Sequence, residues 1–550
     1  MASRLLSFSP RLALAALASA SLYPSLSRPP PQLEPPLEPP LTSGSPPALP
    51  ALPDLTTLSN WSGTHSSTLL VHAPESPSEV ASLVARCHAE GTPLRAVGSH
   101  LSPNALSFPS TSAGPGAAPR QVVSLALLDR VLAVDAAAAT VTVQAGCRVS
   151  SLIAALRPHG LTLPQLASIA EQQVGGFVSV AAHGTGAAIP TVDDFVASFT
   201  VVTPSRGAVT FERGDALFPL LLVGLGQFGV LTELTLRCVP AHHLLERTFT
   251  LTRAEARRRL PELLGAHRHM RYMWVPTEDA VVVVTNDPYD AESSPLPAKM
   301  KEIPNKAERD APFAELLLGH PDNTLSAGEV AELGMGELRD ALLALGPLSV
   351  PWVKRVNEAE AQFWRNSAGY QHRPSDELLQ FDCGGSQWVQ EVCFKDESRE
   401  GAAARSMEFM DRLLEEIEKR GLPAPSPIEQ RWSAASRSGM SPAAGGEGDV
   451  FSWVGVIMYL PADGEEERRA ITDVFQGEYR DLVEELSEEF GAVTHWAKVE
   501  LPRNDGGGEK LEKLRRRLRE RFPLEAFEAA RKKFDPKGIC GSELLDKLLK

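Results

Sequence analysis

Between Leu94 and Ala187, three glycine-rich breaks interrupt otherwise apolar segments. They are Gly98-Ser99 in LRAVGSHLSPN, then Gly175-Gly176 and Gly184-Thr185-Gly186 in EQQVGGFVSVAAHGTGA. A glycine lets the backbone pass within van der Waals contact of a neighbour and leaves its N–H free to meet a phosphate oxygen. One such break means little, because any tight turn favours glycine. Three of them after strands in one stretch favour a domain whose loops close on a phosphorylated cofactor. The spacing is neither G-x-G-x-x-G nor G-x-x-x-x-G-K-[ST], so neither a Rossmann site nor a P-loop is indicated.

Periodicity and caps place the surrounding elements. STLLVHAP reads as a strand. SPSEVASLVARCHAEG reads as a helix with Ser76 as N-cap, Pro77 at its first position, Glu79 closing a capping box and Gly91 as its stop. PLRAVG follows as a strand, giving a β-α-β start. VLAVDAAAATVTVQAG reads as two strands about a turn, and RVSSLIAALRPHG as a helix ending at Gly160. Past Val239 come the helix LTRAEARRRLPELLGAH and two strands about the TEDA turn of HMRYMWVPTEDAVVVVTND. Residues 290–311 are polar and read as a disordered insert. ELRDALLALG and NEAEAQFWRNS read as helices, and FDCGGSQWVQEVCF, SPIEQRW and FSWVGVIMYLP as strands. Near the end lies one basic helix, EKLEKLRRRLRERFPLEAFEAARKKF. The class is α+β.

A chain of 550 residues exceeds one core, so more than one domain is required. Residues 1–33 carry Arg4, Arg11 and Arg28 with no acidic residue, the profile of an organelle transit peptide; a secretory signal built on LALAALASA is the competing reading. Residues 29–53 hold eleven prolines and read as an extended linker. No apolar run is long enough to span a bilayer, which leaves only peripheral membrane association. The six cysteines include no C-x-x-C, which argues against a disulfide scaffold or a zinc ribbon. A net charge of −15 argues against nucleic acid and suits either solubility or a basic partner.

Glu429 and Arg431 in PIEQRW stand at i and i+2, so on a strand both side chains leave the same face. On spacing alone this is an ordinary surface pair. Lys498 in HWAK is by the same measure a strand-end lysine, Ala167 in LASI a small core residue, and Cys383 a buried inert thiol.

Taken together, RAVGSHLSPN, LALLDRVLAVD, VQAGCRVSSLI, HGLTLPQLASIAEQQVGGFVSVAAHGTGA, FDCGGSQWV, PIEQRWSA, FSWVGVIMYLP and HWAK make the chain resemble the aldonolactone oxidoreductases. These are FAD proteins of the vanillyl-alcohol-oxidase type, among them the mitochondrial lactone dehydrogenases of plants and algae that these motifs look like, and the likeness runs from about Trp61 to Leu545. The resemblance implies a two-domain α+β flavoprotein. A transit peptide (1–33) and linker (34–56) would precede a PCMH-type FAD-binding domain (57–240), a cap or substrate domain (241–490) and a C-terminal segment returning to the FAD domain (491–550). It implies oxidation of L-galactono-1,4-lactone to L-ascorbate, electrons passed to cytochrome c, and a peripheral place at the mitochondrial inner membrane or intermembrane space. Two other roles stay open: an aldonolactone oxidase using dioxygen, or a factor in respiratory complex I assembly.

The resemblance also assigns residues. Gly98, Ser99, His100, Leu101, Ser102, Ala167, Ser168, Gly175, Gly176, His183, Gly184 and Thr185 would line the FAD site. Related oxidases carry the flavin on a histidine where this chain has Leu101, so the FAD would be held non-covalently. His100 replaces a family glycine, as a bystander filling space or a misplaced nucleophile. Ala167 stands where oxidases tend to have glycine, which implies poor reaction with oxygen. Glu429 would hold the lactone hydroxyls, Arg431 would orient the substrate and stabilise negative charge on the reduced flavin, and Lys498 would point at the substrate. Cys383 matches cysteines near the substrate channel that are sensitive to oxidation.

Overall fold

The computed structural model describes residues 55–110, 120–290, 302–380, 385–396, 404–461 and 464–549. The transit segment, nearly all of the linker and Cys383 lie outside the described residues. Leu55 and Thr56, assigned from sequence to the linker, already belong to the strand Leu55–Ser59.

The N-terminal half builds two sheets. The first has the order Leu55–Ser59, Ser66–His72, Gln121–Ser124, Leu94–Val97. The helix Pro77–Glu90 is capped by the Ser76 side chain and stopped by Gly91 in the left-handed conformation, as local chemistry demands. Glu79 closes no box on Ser76; its carboxylate instead accepts from the Glu75 amide at 3.0 Å. The strands on either side of this helix do not pair with each other. Gln121–Ser124 inserts between them, parallel to both, so the simple β-α-β reading is corrected. The second sheet is antiparallel: Val131–Asp135, Thr140–Gln144, Val230–Arg237, Val196–Thr203, Gly207–Glu212.

The other half is organised by one eight-stranded antiparallel sheet. Its order is Gly369–Pro374, His243–Leu251, Val281–Tyr289, His269–Trp274, Ile428–Ala434, Val450–Tyr459, Gln387–Lys395, Val493–Thr494. Strand side chains alternate between faces, and here the faces differ in kind. One carries Tyr272, Trp274, Ile428, Trp432, Val454, Val456 and Val392 into a core shared with the helices Arg253–Ala266, Arg405–Arg420 and Arg480–Phe490. The opposite face is apolar where the helices 306–366 cover it, through Trp364 on Met273, Val282 and Val284 and through Tyr459, and in a second patch where Cys393, Phe451 and Trp453 pack with Ala443. Of the stretch expected to be disordered at 290–311, residues 291–301 lie outside the described residues, and the rest is corrected: Asn305 caps a helix over Lys306–Leu318.

The C-terminal segment packs into the core of the N-terminal half: Leu514, Leu518, Phe527, Phe534, Cys540 and Leu545 join one apolar cluster with Val80, Leu152, Val178 and Leu234. The Leu94 amide donates to the Ile539 carbonyl at 2.8 Å, and buried Arg95 donates to Cys540 at 3.0 Å. The single basic helix read from sequence is two, Glu509–Arg521 and Leu524–Phe534, broken at Pro523, whose missing N–H and ring prevent continuation.

Candidate active site

Four short segments with few bulky side chains converge in the N-terminal half. Ser99 Oγ donates to the Glu171 carbonyl at 2.7 Å, and a Cβ on Gly98 would meet Gln173 Oε1 at 3.2 Å, so loop 98–102 lies on 171–173. A Cβ on Gly184 would fall 2.2 Å from the Leu166 carbonyl, so 183–186 lies against 165–168. The Ser102 carbonyl accepts from Asn60 Nδ2 at 3.0 Å. Gly175 and Gly176 are not a turn after a strand; they open the short helix Val174–Ser179. Gly175 packs on Ala145, where an added Cβ would come within 3.0 Å, whereas a Cβ on Gly176 would meet nothing within 4 Å. Gly176 therefore faces open space.

Two buried amide oxygens on these segments, Gln165 Oε1 and Gln172 Oε1, accept no hydrogen bond from the described protein. Buried acceptors are costly to leave unpaired, and a flavin brings ring and ribityl donors that would pair with them. Open space over Gly176, orphaned acceptors and backbone-lined loops fit FAD. Leu101, Ala167 and Ser168 are half-buried here. Leu101 has no nucleophilic atom. His100 takes φ +52° at a position that favours glycine, and its ring packs toward Phe108, 6.1 Å between centroids, with Nδ1 3.3 Å from Ser107 Oγ. Burial lowers its pKa to about 4.

Segment 183–186 joins these loops to the eight-stranded sheet. The Gly186 amide donates to the Trp432 carbonyl at 2.7 Å. Thr185 Oγ1 donates to the Met270 carbonyl, and the Thr185 carbonyl lies 2.7 Å from His269 Nδ1. His183 stacks on Trp453 with 3.7 Å between ring centroids.

Beneath that stack, the sheet face not taken up by the helix core carries charge. Register places Glu429 and Glu391 on either side of Gly455, and Arg431 beside Arg271 on one strand and Trp453 on the other. Glu391 is buried and bridges the set: Oε1 accepts from Arg431 Nη2 at 2.7 Å, Oε2 accepts from Lys498 Nζ at 2.6 Å, and His183 Nε2 lies 3.2 Å away. Burial alone would push the Glu391 carboxyl up, but Lys498, His183 and Arg431 together hold it well below the usual carboxylate range. Burial lowers the pKa of both His183 and His495, with Lys498 and Arg431 acting in the same direction and Glu391 against them.

Glu429 is held more loosely. Its oxygens lie 3.4 Å from Arg431 Nε and 3.5 Å from Arg271 Nη1, and Oε1 is buried without a hydrogen bond. The structure thus brings Glu429, Arg431 and Lys498 into one cluster. Lys498 stands in a turn and not at a strand end, with its amide donating to His495 at 2.8 Å. That turn is held from behind: Arg480 donates to the Glu500 carbonyl and, at 2.7 Å, to that of Leu501. Sequence reasoning missed Glu391, Arg271 and Trp453. The one available signal was a glutamate in the middle of the apolar strand Gln387–Lys395, where a charge requires partners.

Comparison with known proteins bears on both halves. Residues 68–211 match the FAD binding domain family, and residues 234–548 match the D-arabinono-1,4-lactone oxidase family. The mitochondrial L-galactono-1,4-lactone dehydrogenase of Arabidopsis thaliana is 42% identical over 90% of this chain and 81% of its own length. L-gulonolactone oxidase of Mus musculus is 24% identical over 89% of this chain and 97% of its own. Among solved structures, a cholesterol oxidase from B. sterolicum aligns over 92% of this chain and 100% of its own with a TM-score of 0.70 at 16% identity, a likeness of fold.

Proposed function

The chain belongs to the aldonolactone oxidoreductase family of FAD-binding enzymes, and from that premise we propose that it oxidises L-galactono-1,4-lactone to L-ascorbate and passes the electrons to cytochrome c. The observation that carries this reading is the unsatisfied Glu429 Oε1, placed beside Arg431 and Lys498 on the sheet face that segment 183–186 ties to the FAD loops.

FAD, when bound, supplies the two-electron acceptor. The chain's own residues do the rest. Glu429 accepts hydrogen bonds from the lactone hydroxyls. Arg431 is a fixed cation where negative charge develops, an arrangement that stabilises the transition state because the donors are oriented in advance. Lys498 adds a second cation at the substrate. Loss of a C–H hydride and a hydroxyl proton leaves a ketone that tautomerises to the enediol. Gly176, Gln165 and Gln172 hold the cofactor, and Leu101 leaves it without a covalent link.

The mitochondrial names of the relatives and the arginine-bearing leader support a mitochondrial address. Among the described residues no helix is long and apolar enough to cross a bilayer, and we propose peripheral attachment at the inner membrane or intermembrane space. The net charge of −15 suits a basic electron acceptor.

The test is to purify the protein, add L-galactono-1,4-lactone, and follow cytochrome c reduction against peroxide production. Cytochrome c reduction that weakens with ionic strength supports the proposal. Peroxide as the main product would favour the oxidase reading, against which Ala167 stands. Acid precipitation should leave the flavin in the supernatant.

A further inference from the structure

Two carboxylates sit on the same sheet face, and their surroundings differ. Glu429 keeps an oxygen without a hydrogen bond, and its side chain is 21% exposed. Glu391 has its two oxygens committed, at 2.7 Å to Arg431 and 2.6 Å to Lys498, and its side chain is 4% exposed. A saturated, buried carboxylate is poorly placed to meet substrate. It is well placed to hold what meets substrate. Its cationic partners come from separate parts of the chain, Arg431 from the strand Ile428–Ala434 and Lys498 from the turn after Val493–Thr494, while His183 approaches from the FAD loops.

We propose that Glu391 is the positioning residue of this site, fixing Arg431 and Lys498 in one geometry. The proposal rests on the assignment of Glu429, Arg431 and Lys498 made above. A lysine has a long flexible stem, and holding it in one rotamer costs entropy that only a strong directional partner offsets. Glu391 is that partner, because a charge-assisted bond at 2.6 Å fixes Nζ where solvent would leave it mobile. The carboxylate also separates two cations that would otherwise repel. Two carboxylates, Glu391 and Glu429, thus face three basic side chains, Arg271, Arg431 and Lys498, in one ion-pair network.

The test compares Glu391→Gln with Glu391→Asp in the FAD-loaded enzyme. The first keeps the shape and removes the charge; the second keeps the charge and shortens the reach. A misplacement of about 1 Å in a catalytic group can cost about 10²-fold, so kcat/KM should fall by about 10- to 100-fold in both variants. The alkaline limb of the pH profile separates charge from shape. In Glu391→Gln, Lys498 loses its carboxylate partner while Arg431 stays as a neighbouring cation, so the limb should move down by about one pH unit or more. In Glu391→Asp the charge remains and the limb should stay in place. Adding Lys498→Met to Glu391→Gln should cost less than the two single effects together, because both remove one interaction.

A folded Glu391→Gln enzyme with kcat/KM within about threefold of the parent, an unmoved limb and additive coupling would overturn the proposal. If Glu391→Gln does not fold, Glu391→Asp decides: full kcat in that variant overturns it, and a lowered kcat on an unshifted limb upholds it. Failure of the underlying assignment would look different, since Glu429→Ala and Arg431→Ala would then both retain full kcat/KM.

Discussion

The two sides of the site are built from opposite materials. The FAD side is made of backbone: Gly98, Gly175 and Gly184 sit where a methyl group would press on Gln173, Ala145 and Leu166. The cap side is made of charged side chains on strands, with Glu391, Glu429, Arg271 and Arg431 projecting from one face. The first is sensitive to volume and indifferent to charge. The second depends on charge and on the reach of the side chains that carry it. Substitutions should therefore sort by chemistry as well as by distance from the substrate.

The largest effect expected is Gly184→Ala. Its Cβ would lie 2.2 Å from a backbone oxygen, which no side-chain rotation relieves, so the variant should yield little folded, flavin-containing protein on purification. Gly176→Ala sharpens the contrast: with nothing within 4 Å of the added Cβ, the melting temperature without cofactor should match the parent. FAD affinity should nonetheless fall, and unchanged affinity by titration would show that the space over Gly176 is not the cofactor's.

Next in size is Arg431→Ala, which on the charge side should lower kcat by about 10²- to 10³-fold with FAD still bound. Glu429→Ala should act chiefly on KM, because an oxygen without a hydrogen bond in the protein serves substrate hydroxyls that are bound before and during the reaction. Steady-state kinetics with the lactone separate the two.

The smallest effect is His100→Gly. A non-glycine residue at φ +52° stores roughly 1 kcal/mol or more of strain, so the variant should melt slightly higher. Its sign with pH is fixed. The folded-state pKa of His100 is about 4, below that of the unfolded chain, so acid favours the unfolded parent. The advantage of the variant should grow as pH falls from about 6.5 toward 4 and be constant above that window. Calorimetry across pH checks it, and an advantage that shrinks in acid would contradict it.

Legibility follows the range of the interactions involved. The helix Pro77–Glu90 was readable because its cap, Ser76, and its stop, Gly91, adjoin it in sequence. Gln121–Ser124 was not, because four residues carry little pattern and its place between two parallel strands depends on partners about 30 to 50 residues away. The i, i+2 spacing of Glu429 and Arg431 placed both on one face, but an exposed pair and an active-site pair share that spacing. What distinguishes them here is Arg271 across one strand and Glu391 beyond Gly455 on the other. Glu391 itself sits 40 residues from Arg431 and 107 from Lys498, so nothing local marks it except a charge in an apolar strand. Pro523 marked a helix break that the continuous basic pattern had obscured.

The last residues of the chain finish the core of its first domain: Phe534 bonds Ser205, Ile539 bonds Leu94, and Leu545 packs with Val80 and Leu152. A ribosome makes the FAD half early, yet that half lacks part of its interior until the final segment emerges. The cap sheet has nearly all its strands by Tyr459. Removing the helix Glu543–Leu548 would take Leu544, Leu545 and Leu548 out of the core beneath the FAD loops, so the shortened protein should hold less flavin.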